Sequence, residues 1–476
     1  EDYRPPFWQK APRASVVKKW EKVVSTLPEW ESLKGLRNYE LECKAKVGPM
    51  SIQAPLDQRL SSIKDYYTCV ETAGVPIDAN AVKAAGDYFS RAGGVRLRSQ
   101  AATIEKMRLS TNSGSPYFTK RRNVVSKTVP VTVHGDEYRL ANNQTYGLAA
   151  VLGWRGQEGG PSPSDVKQRV VWMMPFALNV KELQLYQPLI EAVQKHGLLP
   201  AYVSMDAVDD RVTNLFKWKE NDDPVICTDF SKFDQHFNSH MQDAAEMVIR
   251  RLVAPSAEVE DWFRTVFPVK YTIPLVCSDE ITFSGPHGMG SGSGGTNFDE
   301  CMAHKALQFE AAQSVGSELN PYSDVLGDDG LLQAHGLTAD LVKQSYSRHG
   351  LEMNADKQYS SSLDCVYLRR WHGVDYTHAG CMVGCYSTFR ALGRLLAQER
   401  YYDPAEWGPK MVTLRAWSII ENCNHSPFFE EFVDFVLKGD KYRLGLAIPG
   451  FLDNIGALVK EATDLVPDFL GYTKSL

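Results

Sequence analysis

Two short acidic segments, almost a hundred residues apart, constrain what this chain can fold into more than any other feature. Asp229 closes the strand-like run PVICTD at 224–229, and Asp234 follows five residues on. Asp328 and Asp329 sit together in YSDVLGDDG at 322–330. Val325-Leu326 and Leu331-Leu332 form apolar arms around Gly327 to Gly330, the pattern of a tight hairpin in which the glycines permit the turn and the aspartates project from it. Between the two segments lies GSGSGGTN at 290–297, a glycine-rich turn opening a helix. The glycines would let backbone approach a ligand closely, and the exposed amides of a helix start favour anions.

A carboxylate at a strand end facing an Asp-Asp hairpin is what a two-metal phosphoryl-transfer site requires. Two Mg²⁺ ions about 3.5–4 Å apart must share anionic oxygens delivered by separate strands. Asp234, displaced past the strand end, is placed to accept a hydrogen bond from a ribose 2′-hydroxyl, the group that separates RNA precursors from DNA precursors. Each feature alone has a plainer reading: a solvent-exposed Asp-Gly turn, a strand end reaching water, a flexible linker.

Charge is distributed unevenly. The chain of 476 residues carries a net −6, yet residues 1–175 hold 26 Lys+Arg against 17 Asp+Glu, and residues 176–476 hold 26 against 41. A basic N-terminal part and an acidic remainder suit RNA and nucleotide phosphates, although solvated faces alone also produce such asymmetry. The length predicts two to four subdomains. Nine cysteines, scattered and odd in number, make no disulfide framework and point to a reducing compartment. Cys381 and Cys385 near His372 and His378 fit no common zinc-finger spacing. The apolar stretch from Leu444 to Val459 is broken by Pro449, Asp453 and Asn454, which argues against a membrane span. No signal peptide is visible, although the chain begins at Glu1.

Periodicity predicts helices over Ala14–Leu27 and Ala81–Phe89, a loop over Gly153–Pro163, and a strand around Val170–Trp172. A helix opened by a Ser239/Gln242 capping box should bury Met241, Ala245, Val248 and Leu252. Residues 268–283 read as β-rich. The helix after the glycine turn should bury Phe298, Met302, Ala306 and Phe309 on one side. A further helix is expected near Thr338–His349, with strands around Gln358 and Val366–Arg370. The last hundred residues read as helical, including a helix with Ser426 as cap, Pro427 at its first position and Gly439 past its end.

In their order along the chain, Asp229 and Asp234, then Ser291, Gly292 and Thr296, then Asp328 and Asp329, resemble motifs A, B and C of viral RNA-dependent RNA polymerases. TNSGSP at 111–116, with Thr111, Ser113, Gly114 and Pro116, resembles the template-guiding motif G. Lys167 and Arg169 resemble the basic motif F, Lys357 the motif D lysine, and YLRR at 367–370, with Arg369 and Arg370, the primer grip of motif E. The resemblance spans roughly residues 111–370. Within the superfamily, DFSKFDQHFN at 229–238 and SGSGGTN at 291–297 look most like picobirnavirus polymerases, with partitivirus enzymes next. In one departure, the asparagine that many relatives carry four residues after the motif B threonine is Glu300 here, and the nearest asparagine is Asn297.

The resemblance implies an α+β right-hand fold, closed and cage-like. Fingers and fingertips would cover 1–180, and a palm with an antiparallel sheet 181–375, with a fingers segment interposed at about 239–283. A helical thumb would cover 376–476. It implies two Mg²⁺ or Mn²⁺ ions held by Asp229, Asp328 and Asp329. Lys167 and Arg169 would neutralise the triphosphate. Asp234, Thr296 and Asn297 would select ribose, and Lys357 would act as general acid. Expected partners are an RNA template, its nascent strand, ribonucleoside triphosphates and a viral capsid protein, with no membrane. The expected state is a monomer in the virion interior or the host cytoplasm. A reverse transcriptase would share the palm but usually places a bulky aromatic near the position of Asp234. An inactive polymerase-fold protein that packages RNA would have no need of the intact Asp229, Asp328, Asp329, Arg169 and Lys357.

Overall fold

The computed structural model describes residues 1–8 and 10–465; the end of the expected helical region, 466–476, lies outside the described residues. The chain forms two compact units that interleave in sequence. One comprises 1–58, 154–169 and 368 onward, the other 59–153 and 170–367.

The second unit is organised by an antiparallel four-stranded sheet. Its spatial order is Asp324–Leu326, Asp329–Leu332, Val225–Thr228 and Tyr359–Ser361. Val225–Thr228 is buried along its whole length, as expected of a central strand covered on both faces. Leu331 pairs with Cys227 on one side, and Tyr359 pairs with Cys227 on the other. Immediately after Asp229 the chain changes partner, and Phe230–Ser231 pairs instead with Glu352–Met353.

Helices support this sheet. Thr296–Ser314 packs against Ala79–Phe89, Ser239–Arg250 and Ala339–Ser347. The one-sided burial expected for it is too narrow. It buries residues on every face, Asp299, Glu300 and Lys305 included, while Phe309 is only partly covered. A helix buried all round is a core helix, and its charges need internal partners. Lys305 Nζ donates to Gln308 Oε1 at 3.0 Å and to the Ser323 carbonyl at 2.8 Å, over the Tyr88 ring. Burial still lowers its pKa to about 7.

Several local expectations shift. The residue that caps Ser239–Arg250 is Asn238, whose Oδ1 accepts from the amides of His240 and Met241; Ser239 is the first helical residue. The loop expected over Gly153–Pro163 begins only at Glu158, because a strand, Ala150–Gln157, takes its first part; the partner of that strand in the same sheet runs over Lys167–Met173. The region expected to be β-rich holds a 3₁₀ turn, Phe267–Tyr271, and only two short strands, Leu275–Val276 and Thr282–Phe283. The C-terminal helix starts at Phe429, and Gly439 is its last residue rather than a cap beyond it. Ser426 Oγ accepts from the Phe428 amide just ahead of that helix.

The first unit is mainly helical. Its Thr388–Leu396 helix is capped from a distance by Glu40 on Lys34–Ala45. The buried carboxylate accepts from Ser387 Oγ (2.8 Å), the Thr388 amide (2.8 Å), Thr388 Oγ1 (3.1 Å) and the Phe389 amide (3.2 Å). Burial raises its pKa, and these four donors oppose the rise. Amides at a helix start have no intrahelical partner, so a buried anion there replaces water. Trp20 Nε1 donates to the same Thr388 hydroxyl, at 2.9 Å. Glu40→Ala should therefore destabilise this unit by about 3 kcal/mol, through orphaned donors. Glu40→Gln, which keeps one acceptor oxygen, should lose less. Urea unfolding followed by circular dichroism would measure both.

Candidate active site

The acidic site is built by strand register. Thr228 pairs with Gly330, so the next positions along the two antiparallel strands are Asp229 and Asp329, with Cα atoms about 5 Å apart. Leu326 pairs with Asp329, which leaves Gly327 and Asp328 as a two-residue hairpin loop. Gly327 has φ +60°, the left-handed conformation that the twist of such loops demands. Gly330 serves another purpose than the turn. A Cβ there would lie 2.6 Å from the His304 ring and 2.7 Å from Thr228 Oγ1, so glycine lets the hairpin settle onto the long helix. His304 Nδ1 donates to the Gly327 carbonyl at 2.9 Å. Burial brings its pKa down to about 4, which keeps the imidazole neutral beneath the acidic loop.

Asp229 is held from the opposite side by residues the sequence reading passed over. Asn354 Nδ2 donates to Asp229 Oδ2 at 3.0 Å, and the Asn354 amide donates to the Asp229 carbonyl at 3.0 Å. Gln358 Nε2 donates to the same carbonyl at 2.6 Å, while Gln358 Oε1 accepts from the Asp229 amide at 3.2 Å. Between these two residues lies the 3₁₀ turn Ala355–Lys357, on which Lys357 is exposed.

Asp234 follows in the turn Phe233–His236, and its carbonyl accepts from the Met289 amide at 2.8 Å. Its carboxylate is hydrogen-bonded to Glu300. Burial first, then the charge of Asp234, holds the Glu300 carboxyl well above the usual carboxylate range, which favours the protonated form that can donate this bond. Asn297 is exposed; its Oδ1 accepts from the Tyr202 hydroxyl at 2.7 Å. Thr296 Oγ1 donates within the turn, to the Ser293 carbonyl at 3.2 Å.

The glycine-rich turn is anchored rather than loose. Ser291 Oγ donates to the Val170 carbonyl at 3.3 Å, and a Cβ at Gly292 would collide with the Trp172 carbonyl. Buried Glu182 accepts from Ser293 Oγ and from the Gly294 amide at 3.3 Å. Behind the turn, fully buried Lys270 and Asp299 pair at 3.0 Å. Tyr186 and Tyr271 each donate to Asp299 at 2.7 Å.

Asp229, Asp328 and Asp329 offer hard oxygen donors suited to Mg²⁺ or Mn²⁺. Asp229 Oδ1 accepts no hydrogen bond among the described residues, and both hairpin aspartates reach the surface at least in part. The donor set therefore fits divalent cations. A separate cluster whose ligand atoms already converge, Glu220, Asp223 and His335, lies at the opposite end of the central strand.

Residues 96–421 match the family of viral RNA-dependent RNA polymerases. The chain is 55% identical over 481 residues to a potential RNA-dependent RNA polymerase of a human picobirnavirus (strain Human/Thailand/Hy005102/-), covering 100% of this chain and 89% of that protein. It superposes with a TM-score of 0.95 on the crystal structure of the RNA-dependent RNA polymerase of a human picobirnavirus. That protein is 53% identical, with 100% of this chain and 90% of the other covered. An insertion-loop deletion mutant of a human picobirnavirus polymerase gives a TM-score of 0.93 at 52% identity, covering 98% and 93%. The chain belongs to the viral RNA-dependent RNA polymerase family. It has the right-hand polymerase fold and is a nucleotidyltransferase, as the motif order led us to expect.

The polymerase's outer motif residues fall into distinct settings. In TNSGSP, Gly114 has φ +61°, Asn112 Oδ1 accepts from its amide at 2.8 Å, and Ser113 is buried. Thr111 Oγ1 is buried with no hydrogen-bond partner among the described residues, and Pro116 follows a cis peptide bond. Lys167 and Arg169 alternate outward on one strand, where Arg169 donates to Gln157 Oε1 at 2.9 and 2.7 Å. Leu368 and Arg369 form a left-handed pair, φ +52° and +61°, at the turn between Asp364–Tyr367 and Arg370–Gly373. Arg369 is exposed there, whereas Arg370 is buried and donates to the Gly384 carbonyl at 3.1 Å.

The expected motif residues carry the charge, but Glu182, Lys270 and Asp299 hold the turn that opens the long helix. Removing one member of a buried pair leaves an uncompensated charge, which costs about 3–5 kcal/mol. Lys270→Met should therefore lower thermal stability by that amount and reduce polymerase activity together with it. Differential scanning fluorimetry beside an incorporation assay would check the coupling.

Proposed function

We propose that the polymerase copies RNA by two-metal nucleotidyl transfer, for replication and transcription of the genome of a small double-stranded RNA virus. The observation that carries this reading is the register that sets Asp229 beside Asp329 with Asp328 at the hairpin tip. Asp229 and Asp328 would hold two Mg²⁺ or Mn²⁺ ions, with Asp329 in support. When bound, such ions supply the positive charge that makes a primer 3′-hydroxyl acidic and stabilises a departing pyrophosphate.

The remaining tasks fall to side chains. The hydroxyl loses its proton to water, its oxygen attacks the α-phosphorus of the incoming nucleotide, and the bond from that phosphorus to the pyrophosphate oxygen breaks. Lys357 Nζ gives a proton to the pyrophosphate, a general-acid contribution of about 10²–10⁴-fold. Its place on an exposed turn supports this role. Lys167 and Arg169, assigned by motif order, neutralise the triphosphate, arginine through a fork and lysine as a point charge.

Ribose selection rests on Asp234, Thr296 and Asn297. The bond from Glu300 supports Asp234 in this task, because a donor on one carboxylate oxygen leaves the other to accept from the 2′-hydroxyl. Thr111, Ser113, Gly114 and Pro116 guide template, and Arg369 with Arg370 lies along the primer, the buried Arg370 by supporting its turn. The polymerase works as a monomer in the virion interior or host cytoplasm, beside a capsid protein.

The deciding experiment incubates the purified chain with a short RNA template, ribonucleotides and Mg²⁺ or Mn²⁺, beside an Asp328→Ala/Asp329→Ala control. Template-dependent product is expected from the first alone. Product from both would mean that the metal site lies elsewhere. No product from either, primed or unprimed, would favour a fold kept for RNA packaging. In the active chain, Lys357→Leu should slow single-turnover incorporation by about 10²-fold or more while RNA binding is unchanged. Asp234→Ala should reduce the preference for ribonucleotides over deoxyribonucleotides.

A further inference from the structure

Lys357 sits on a turn that has little of its own to hold it. The turn Ala355–Lys357 is a single 3₁₀ turn. Its internal support is the Lys357 amide donating to the Asn354 carbonyl at 3.1 Å, with Gln358 Nε2 donating to that same carbonyl at 3.0 Å. Its external support is Asp229. The Asp229 carbonyl receives the Asn354 amide and Gln358 Nε2, and the Asp229 amide is taken up by Gln358 Oε1. These contacts are to the Asp229 backbone and do not involve its carboxylate. The bond from Asn354 Nδ2 to Asp229 Oδ2, at 3.0 Å, is different in kind, because it reaches the group proposed to hold a cation.

A carboxylate has two oxygens and rotates freely unless something holds it. An amide N–H on Oδ2 fixes the rotation and directs Oδ1 to whatever shares the site. Asn354 is half-buried, so this bond is partly shielded from water. Its own backbone amide is fixed to Asp229, so the side chain has a short, determined reach to the carboxylate.

We infer that Asn354 is a positioning residue: its side-chain amide sets which oxygen of Asp229 faces the cation, and it ties the turn carrying Lys357 to the state of the metal site. The inference rests on the metal-site reading given above. Cation binding at Oδ1 draws the carboxylate in one direction, and the amide bond transmits that pull to the turn. The same link runs in reverse, so a turn displaced by substrate changes how firmly Asp229 holds its ion. Coupling of this kind is reciprocal by thermodynamic necessity.

The test is direct Mn²⁺ binding to the full chain, read by electron paramagnetic resonance of the free ion and requiring no turnover. Wild type is compared with Asp229→Asn, Asn354→Leu and Asn354→Ser. Leucine matches asparagine in shape without the donor; serine keeps a small polar side chain that is too short to reach Oδ2. We expect a class of Mn²⁺ sites in wild type that Asp229→Asn removes. Both Asn354 variants should weaken that class by about 10–100-fold, at unchanged melting temperature and RNA affinity. Hydrogen exchange gives a second readout. Adding Mn²⁺ should slow exchange at the Lys357 amide in wild type and leave it unaltered in Asn354→Leu. Wild-type Mn²⁺ affinity in a folded Asn354→Leu or Asn354→Ser chain would overturn the positioning role and leave the metal site intact. Mn²⁺ binding indifferent to Asp229→Asn would overturn the metal-site reading itself, and this inference with it.

Discussion

Asp229 stands where a β-strand must stop. The strand before it is paired on both sides, and the two residues after it pair with a different neighbour. At the crossing point the Asp229 carbonyl takes the Asn354 amide of the new neighbour, but the Asp229 N–H has no backbone partner, and buried or half-buried peptide groups must be paired somewhere. Gln358 resolves this with one side chain, whose amide oxygen accepts from that N–H while its nitrogen gives the carbonyl a second donor. The strand can therefore end inside the protein without an orphaned peptide, and its last carboxylate is free to point away from the ladder toward the hairpin.

A second constraint is electrostatic. Four aspartates and Glu300 gather around one strand end and one helix, so like charges must be managed before any cation arrives. Part of the answer is protonation, since Glu300, buried beside Asp234, is pushed toward its neutral form. Part is neutrality beneath the hairpin, where His304 carries no charge and donates to the loop's own carbonyl. The rest is isolation. Asp299, one residue from Glu300, is matched by Lys270 and two tyrosines and so adds little to the field at the site.

These two constraints separate what could be read from sequence from what could not. The aspartates were legible because each lies in a local context that announces it: an apolar run ending in Asp229, and apolar arms around Asp328-Asp329. The order of the motifs then identified the family. Asn354 and Gln358 were not legible, because they act on a residue some 125–129 positions away through side-chain bonds that leave no periodicity. Asn238 displaced Ser239 as a helix cap, a shift of one residue that either side chain could have filled. The long helix looked one-sided because its inward charges, Asp299 and Lys305, read as a solvent face until their partners are known. Arg370 looked like a primer contact for the same reason: an arginine in a turn suggests a surface, and here the neighbouring residue, Arg369, takes the exposed place.

The support that each part receives matches the chemistry proposed for it. Carboxylates that are to hold metal need fixed separations, and those proposed for it here stand at the ends of paired strands or in a two-residue loop pressed onto a buried helix. The proposed ribose selection needs a fixed distance between Asp234 and the helix start, and that start is tied down through Glu182 and the buried Lys270 pair. A proton donor to a leaving group has the opposite need. It must approach as charge develops and withdraw so that the product can leave. Lys357 stands on a single exposed turn whose main anchor is Asp229, the residue proposed to hold the cation. A donor on so short a turn is tethered, through Asn354, to the carboxylate whose state it would have to follow.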